Sequence, residues 1–144
     1  MAPFHLAIPV NDLEKAREFY GGIFGLEQGR EQIGKWIDYN FFGHQLVCHF
    51  TAPDWKPAEF CNYVDKYDVP IPHFGVCMTV EDWQTLRDKL IGANIKFIVE
   101  PHLRFEGQPG EQWTMFFKDP SGNNLEFKAM TNPNNLFAKY IVQK

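Results

Sequence analysis

The stretch Asp119-Pro120-Ser121-Gly122-Asn123-Asn124-Leu125-Glu126-Phe127-Lys128 decides how this chain is read. Asp-Pro-Ser-Gly signals a tight turn, because proline presets φ and glycine accepts positive φ. The turn feeds a strand over 124–129, with Leu125 and Phe127 on one face and Asn124, Glu126 and Lys128 on the other. A lone carboxylate among large apolar residues is costly to bury unless a cation meets it. On a half-solvated strand it would simply be exposed. The rest of the chain decides between these readings.

Moving upstream, 112–118 reads as a strand, 100–110 as a loop rich in Gly, Pro and charge, and 95–99 as a strand. Residues 81–92 form a helix with Trp83, Leu86 and Leu90 inward, and 73–80 a strand. The same order occurs earlier. Residues 4–10 read as a strand; Asn11 is a plausible N-cap with Glu14 as its capping-box partner. Leu13, Ala16, Tyr20 and Ile23 follow at helical spacing. Strands are expected over 26–30, 35–42 and 45–51, with Gly43-His44 as the turn between the last two. Each half is thus strand, helix and three strands, opened by His5 in the first and His73 in the second. Repetition of this kind means one supersecondary unit used twice.

The expected organisation is a single domain: module 1 over about 4–51, a connector over 52–72, module 2 over about 73–129 and a tail over 130–144. The connector carries Pro53, Pro57, Pro70 and Pro72, with one short helix expected over 58–66. In the tail, Leu136, Phe137, Tyr140 and Ile141 are helically spaced. Overlaying 43–49 on 122–128 matches Gly43 to Gly122 and Leu46 to Leu125. It places Val47 opposite Glu126, and His49 opposite Lys128.

Composition narrows the partners. The 144 residues include 14 Phe, 5 Tyr and 4 Trp, enough for a packed core or an apolar pocket. The net charge of −4 and the absence of a basic run argue against nucleic acid. No segment has the length or apolarity of a membrane span, and the N-terminus lacks a charged and apolar leader pattern. Cys48, Cys61 and Cys77 are odd in number and lack metal-ligand spacing, so reduced thiols and a cytoplasmic location are expected.

The run Phe4-His5-Leu6-Ala7-Ile8-Pro9-Val10, then Asp12, Ala16, Phe19-Tyr20 and Gly25-Leu26, resembles the opening of a vicinal oxygen chelate protein. His73-Phe74-Gly75-Val76 and Asp119-Pro120, Gly122-Asn123 and Leu125-Glu126 are similar to that superfamily's second-module signals. It includes glyoxalase I, extradiol dioxygenases, fosfomycin-inactivating thiol transferases and bleomycin-resistance proteins. The resemblance implies an α+β fold of two tandem βαβββ modules, with curved mixed sheets around a metal-binding cavity. It also implies that His5, His73 and Glu126 are metal ligands. Two imidazoles and a carboxylate form a facial triad suited to Fe2+ or Mn2+, with Zn2+ or Ni2+ as alternatives.

Glyoxalase I has a fourth protein ligand on the fourth strand, where the repeat places Val47. Gln45 and His49 share that strand face and would serve if the register were off by two. His49 otherwise stands as a candidate catalytic acid/base, or as a packed residue. The leading expectation is a metal-dependent dioxygenase-like enzyme acting on a small substrate, aromatic diols among the candidates, and working as a homodimer. The alternatives are a lactoylglutathione lyase-like isomerase, a thiol transferase, or a bleomycin-resistance type binding protein without turnover. Two strand faces offer cavity linings: Thr114 and Phe116 against Trp113, Met115 and Phe117, and Trp36, Asp38 and Asn40 against Ile37, Tyr39 and Phe41. His102 and Arg104, in the expected loop, would either reach an anionic or phenolate substrate or be solvated.

Overall fold

The computed structural model describes residues 2–142. Two units are distinguished, Met1–Ala58 with Asp119–Asn123, and Glu59–Lys118 with Asn124–Lys144.

In the first unit, β1 (His5–Val10) leads into α1 (Leu13–Ala16), which continues as a π-helix over Arg17–Ile23. Then follow β2 (Gln28–Gln32), β3 (Trp36–Phe41) and β4 (His44–Phe50), in the sheet order β1-β4-β3-β2 with β1 parallel to β4. Alternation along the strands sends Ile8, Val10, Ile37, Tyr39, Phe41, Leu46 and Cys48 into the core. The helical segment packs Phe19, Tyr20 and Phe24 there too. An i→i+5 bond from Phe24 N to Phe19 O widens the turn, and the Phe19 ring meets those of Tyr20 and Phe24 at 4.9 and 5.3 Å.

Two local expectations shift. Asp12, not Asn11, caps the helix, accepting from Lys15 N at 3.0 Å. Asn11 instead donates its backbone N–H to the Ser121 hydroxyl, accepts from that hydroxyl at Oδ1, and donates its side-chain amide to the Trp55 carbonyl. The β3–β4 turn is Phe42-Gly43, both at positive φ, because register pairs Phe41 with His44.

The second unit begins with an unexpected hairpin, β5 (Phe60–Val64) and β6 (Tyr67–Ile71), in place of the expected helix. Asp65 and Lys66 at positive φ make its two-residue turn, and Val69 packs with Val64, Val99 and Phe116. Ladder pairing of Phe60–Val64 with Tyr67–Ile71 takes the place of helical bonds, and β6 tolerates Pro70 in a two-stranded sheet where it is an edge. The repeat then returns: β7 (His73–Phe74), α2 (Val80–Gly92), β8 (Phe97–Arg104), β9 (Gln112–Lys118) and β10 (Asn124–Met130). The order β7-β10-β9-β8, with β7 parallel to β10, reproduces that of the first unit. Thr79 caps α2, and Trp83, Leu86 and Leu90 are buried as expected.

Strand β8 is longer than expected. Register shifts around Val99 absorb Pro101, so His102 and Arg104 lie in a strand rather than a loop. Arg104 is buried, its guanidinium over the Phe105 ring at 4.6 Å and 3.8 Å from Asp65. Among its described residues the tail forms a short 3-10 turn, Pro133–Asn135, with the Tyr140 hydroxyl accepting from Gly110 N. No helix among the described residues is long and apolar enough to cross a membrane.

Candidate metal centre

Glu126 is buried in the middle of β10, which its neighbours explain. Parallel pairing sets Asn124 beside His73, and antiparallel pairing sets Glu126 opposite Phe116. His73 Nε2 stands 3.1 Å from Glu126 Oε1, and the Thr114 hydroxyl donates to Oε2 at 2.5 Å. Phe116 closes the edge of the imidazole, ring centroids 5.1 Å apart. On the other side of the ring, Nδ1 lies 2.7 Å from the Pro70 carbonyl. A carbonyl oxygen only accepts, so Nδ1 carries the proton. Nε2 therefore turns its lone pair toward a carboxylate oxygen that also carries lone pairs. The two need a cation between them, either a second ring proton or a metal ion.

Each group responds to the other. The hydrogen bond to Glu126 raises the His73 pKa, outweighing the burial that lowers it. Burial pushes the Glu126 carboxyl up, but hydrogen bonds from His73 and Thr114 overcome it and leave the pKa lowered. In metal-free protein, His73 contributes stability that is complete below its ordinary 6.5 and is lost as pH rises through the raised folded value. Glu126 contributes stability that is present above 4.5 and is lost as pH falls through the lowered folded value. The difference in melting temperature between wild type and Glu126→Gln should therefore be largest between those two values and shrink on either side. A pH-independent difference would show that the pair carries no proton.

The pair also fits a first-row divalent ion. Two donors each about 2.1 Å from one ion, at a right angle, lie about 3.0 Å apart, close to the observed separation. A histidine ligand that donates its other ring N–H to a backbone carbonyl is the usual outer arrangement. Gly75 makes room for it, because a Cβ there would strike the Glu126 carbonyl. Gly75→Ala should force β7 away from β10 and cost about 1–3 kcal/mol or more, read as a lowered denaturation midpoint. An unchanged midpoint would mean the strands separate freely.

Among the described residues, His, Cys, Asp and Glu side chains nowhere gather in groups of three that could hold a metal ion. The structure brings together His73 and Glu126. His5 belongs to the first unit, exposed on β1, with its Nδ1 2.7 Å from Gln45 Oε1. Register in that unit pairs His5 with Gln45, as it pairs His73 with Asn124 in the other, and sets Val47 at the position that Glu126 occupies. The repeat read from the sequence is thus reproduced strand by strand. His49 is exposed near the end of β4, its ring 6.4 Å from that of Trp36. His102, paired with Thr114 on β9, donates Nδ1–H to the Glu100 carbonyl, and its buried Nε2 has no hydrogen-bond partner among the described residues. Cys48 is buried, and its thiol is pushed well up by burial, while Cys61 is exposed; neither adjoins a second cysteine in a disulfide.

Two contributors escaped the sequence reading. Thr114 was grouped correctly with Phe116, but its bond to Glu126 depends on register, which no local pattern sets. Asp38, at 5 % exposure, was visible only as one polar residue in an alternating strand.

The family model for the Glyoxalase/Bleomycin resistance protein/Dioxygenase superfamily matches residues 3–127. A glyoxalase/bleomycin resistance protein/dioxygenase from Alicyclobacillus acidocaldarius is 34% identical, with 94% of this chain and 96% of that chain covered at a TM-score of 0.79. Two more distant structures share the fold. A glyoxalase/dioxygenase from Nostoc punctiforme is 19% identical, with coverage of 91% and 92% and a TM-score of 0.67. A lactoylglutathione lyase from Agrobacterium tumefaciens is 18% identical, with coverage of 96% and 97% and a TM-score of 0.63. No curated protein matches the chain. With a match over most of its length and the repeated βαβββ order described above, the chain belongs to the Glyoxalase/Bleomycin resistance protein/Dioxygenase superfamily.

Proposed function

We propose that this protein is a divalent-metal-dependent enzyme acting on a small substrate with two neighbouring oxygens, aromatic diols being the first class to test. The observation that carries this reading is the His73–Glu126 pair, an imidazole lone pair and a carboxylate oxygen held 3.1 Å apart with Nδ1 locked by Pro70. His5, at the matching register position of the first unit, is the proposed third ligand, with Fe2+ or Mn2+ the first ions to test. The bound ion would supply Lewis acidity toward the substrate oxygens. Thr114 and Pro70 hold the two donors in orientation, and Phe116 keeps water from the ring edge. His49 is the proposed acid/base group.

Val47 favours this reading over a lactoylglutathione lyase-like one. An apolar side chain stands where the first unit would otherwise supply a carboxylate, and Gln45 is already bonded through both ends of its amide. A second copy of the chain is the proposed partner, since open sheet edges otherwise stay exposed.

Anaerobic purification with elemental analysis should find one divalent ion per chain, and light scattering a dimer. A panel of catechols, hemithioacetals and thiol acceptors should show turnover with the catechols that chelator removes. Turnover of hemithioacetals alone would move the protein to the lyase-like reading. Protein that stays metal-free after reconstitution yet binds small ligands would be a sequestering protein.

A further inference from the structure

The polar sheet face of the first unit carries a line of oriented groups beginning at Asp38, in the middle of β3. Its Oδ1 accepts the Arg30 backbone N–H at 2.6 Å, its Oδ2 accepts Gln45 Nε2 at 3.1 Å, and Arg30 Nε lies 3.5 Å from Oδ2. The sequence and fold of β2 are shaped to this. The register of β2 shifts between Gln28 and Glu31, which turns the Arg30 N–H inward, and a Cβ on Gly29 would collide with Asp38 Oδ1.

The chemistry then runs in one direction. A carboxylate only accepts, so the Gln45 atom facing Asp38 must be its NH2 group. The Gln45 carbonyl is thereby aimed at His5, 2.7 Å from Nδ1. A carbonyl oxygen also only accepts, so the His5 proton sits on Nδ1 and Nε2 is left with a bare lone pair. Without this, an exposed imidazole in water favours the opposite, Nε2–H form. His5 is exposed, so burial does not choose its tautomer. The Gln45 amide does, and Asp38 chooses the amide.

We propose that Asp38 and Gln45 are positioning residues that hold His5 in its Nδ1–H tautomer, so that the Nε2 lone pair is the one offered to a divalent cation. This rests on the reading of His5 as a ligand. In the second unit the Pro70 carbonyl does the same for His73, and the matching residue, Asn124, is occupied elsewhere with Pro72 and Lys118. The two units thus reach one tautomer by different partners.

The test is nitrogen NMR of the histidine rings in metal-free, 15N-labelled protein at about pH 8.5, some two units above the ordinary histidine value. His5 is assigned by comparison with His5→Asn. Wild type should show His5 in the Nδ1–H form. Asp38→Asn, which lets the amide turn over, should move the ring toward Nε2–H, and so should Gln45→Leu, which leaves the Asp38–Arg30 contact intact should the first variant fail to fold. Gln45→Leu should also weaken divalent-metal affinity by about 10–100-fold. A wild-type ring in the Nε2–H form, or a ring indifferent to the substitutions, overturns the proposal. Because the tautomer is read without metal, a positive result stands even where the metal-dependent function fails.

Discussion

Glu126→Gln should yield a folded protein that retains divalent metal at least ~100-fold more weakly than wild type, with any metal-dependent turnover lost. The size follows from what is removed. Loss of an outer partner of a ligand already costs about 10–100-fold, and here the ligand itself loses its charge. The amide is isosteric, so its oxygen still accepts from the Thr114 hydroxyl, and its NH2 group donates to His73 Nε2. That donation consumes the lone pair a metal would use. Stability should therefore change little at a pH above the raised His73 value, where wild type has also lost the ring proton, and a melting curve there serves as the control for folding. Calorimetric titration of apo protein with Mn2+ and elemental analysis after reconstitution read the effect. Metal retained at wild-type affinity would remove Glu126 from the site, and the functional reading would go with it.

Asp119→Ala should destabilise the protein by about 3–5 kcal/mol, the range for breaking a buried charged network. Asp119 is 4% exposed, and burial raises its pKa although several hydrogen bonds to the carboxylate oppose the rise. Oδ1 accepts the backbone N–H groups of Ser121 and Asn123, both at 2.9 Å. Oδ2 accepts the Asn123 amide at 2.9 Å and the Tyr20 hydroxyl at 2.8 Å. Alanine would leave four donors without this acceptor, the Tyr20 hydroxyl fully buried among them. Tyr20→Phe removes a single bond and should cost only about 1 kcal/mol. Denaturant midpoints of the two variants give the comparison. Equal, small losses would mean that water replaces the carboxylate and that the turn is not organised by it.

The same turn shows what was legible beforehand. Asp-Pro-Ser-Gly was read as a turn from proline and glycine alone, and the strand after it began at Asn124 as expected. Its use of Tyr20, Asn11 and the Pro9 carbonyl was not visible, because those residues lie more than a hundred positions away, or nearly so. The hairpin over Phe60–Ile71 failed differently. A short helix was expected over 58–66, and only pairing of β5 with β6, with two residues at positive φ in the turn, makes the segment strands. Strand β8 outran its expected end because bulges let a proline-containing segment stay in the ladder.

Taken alone, the sequence determined the repeated βαβββ order, the inward faces of the helices and strands, and the equivalence of Val47 with Glu126. Those features are local: a period near 3.6 or of 2, punctuated by turn residues, is written along a few consecutive positions. Tertiary structure decided the rest. It set His73 against both Pro70 and Glu126, brought Thr114 to the second carboxylate oxygen, and linked Asp38 through Gln45 to His5. Which donor meets which acceptor depends on strand register, and register is chosen by the burial of whole faces and the hydrogen-bond ladder between distant segments, which no single stretch of the chain encodes.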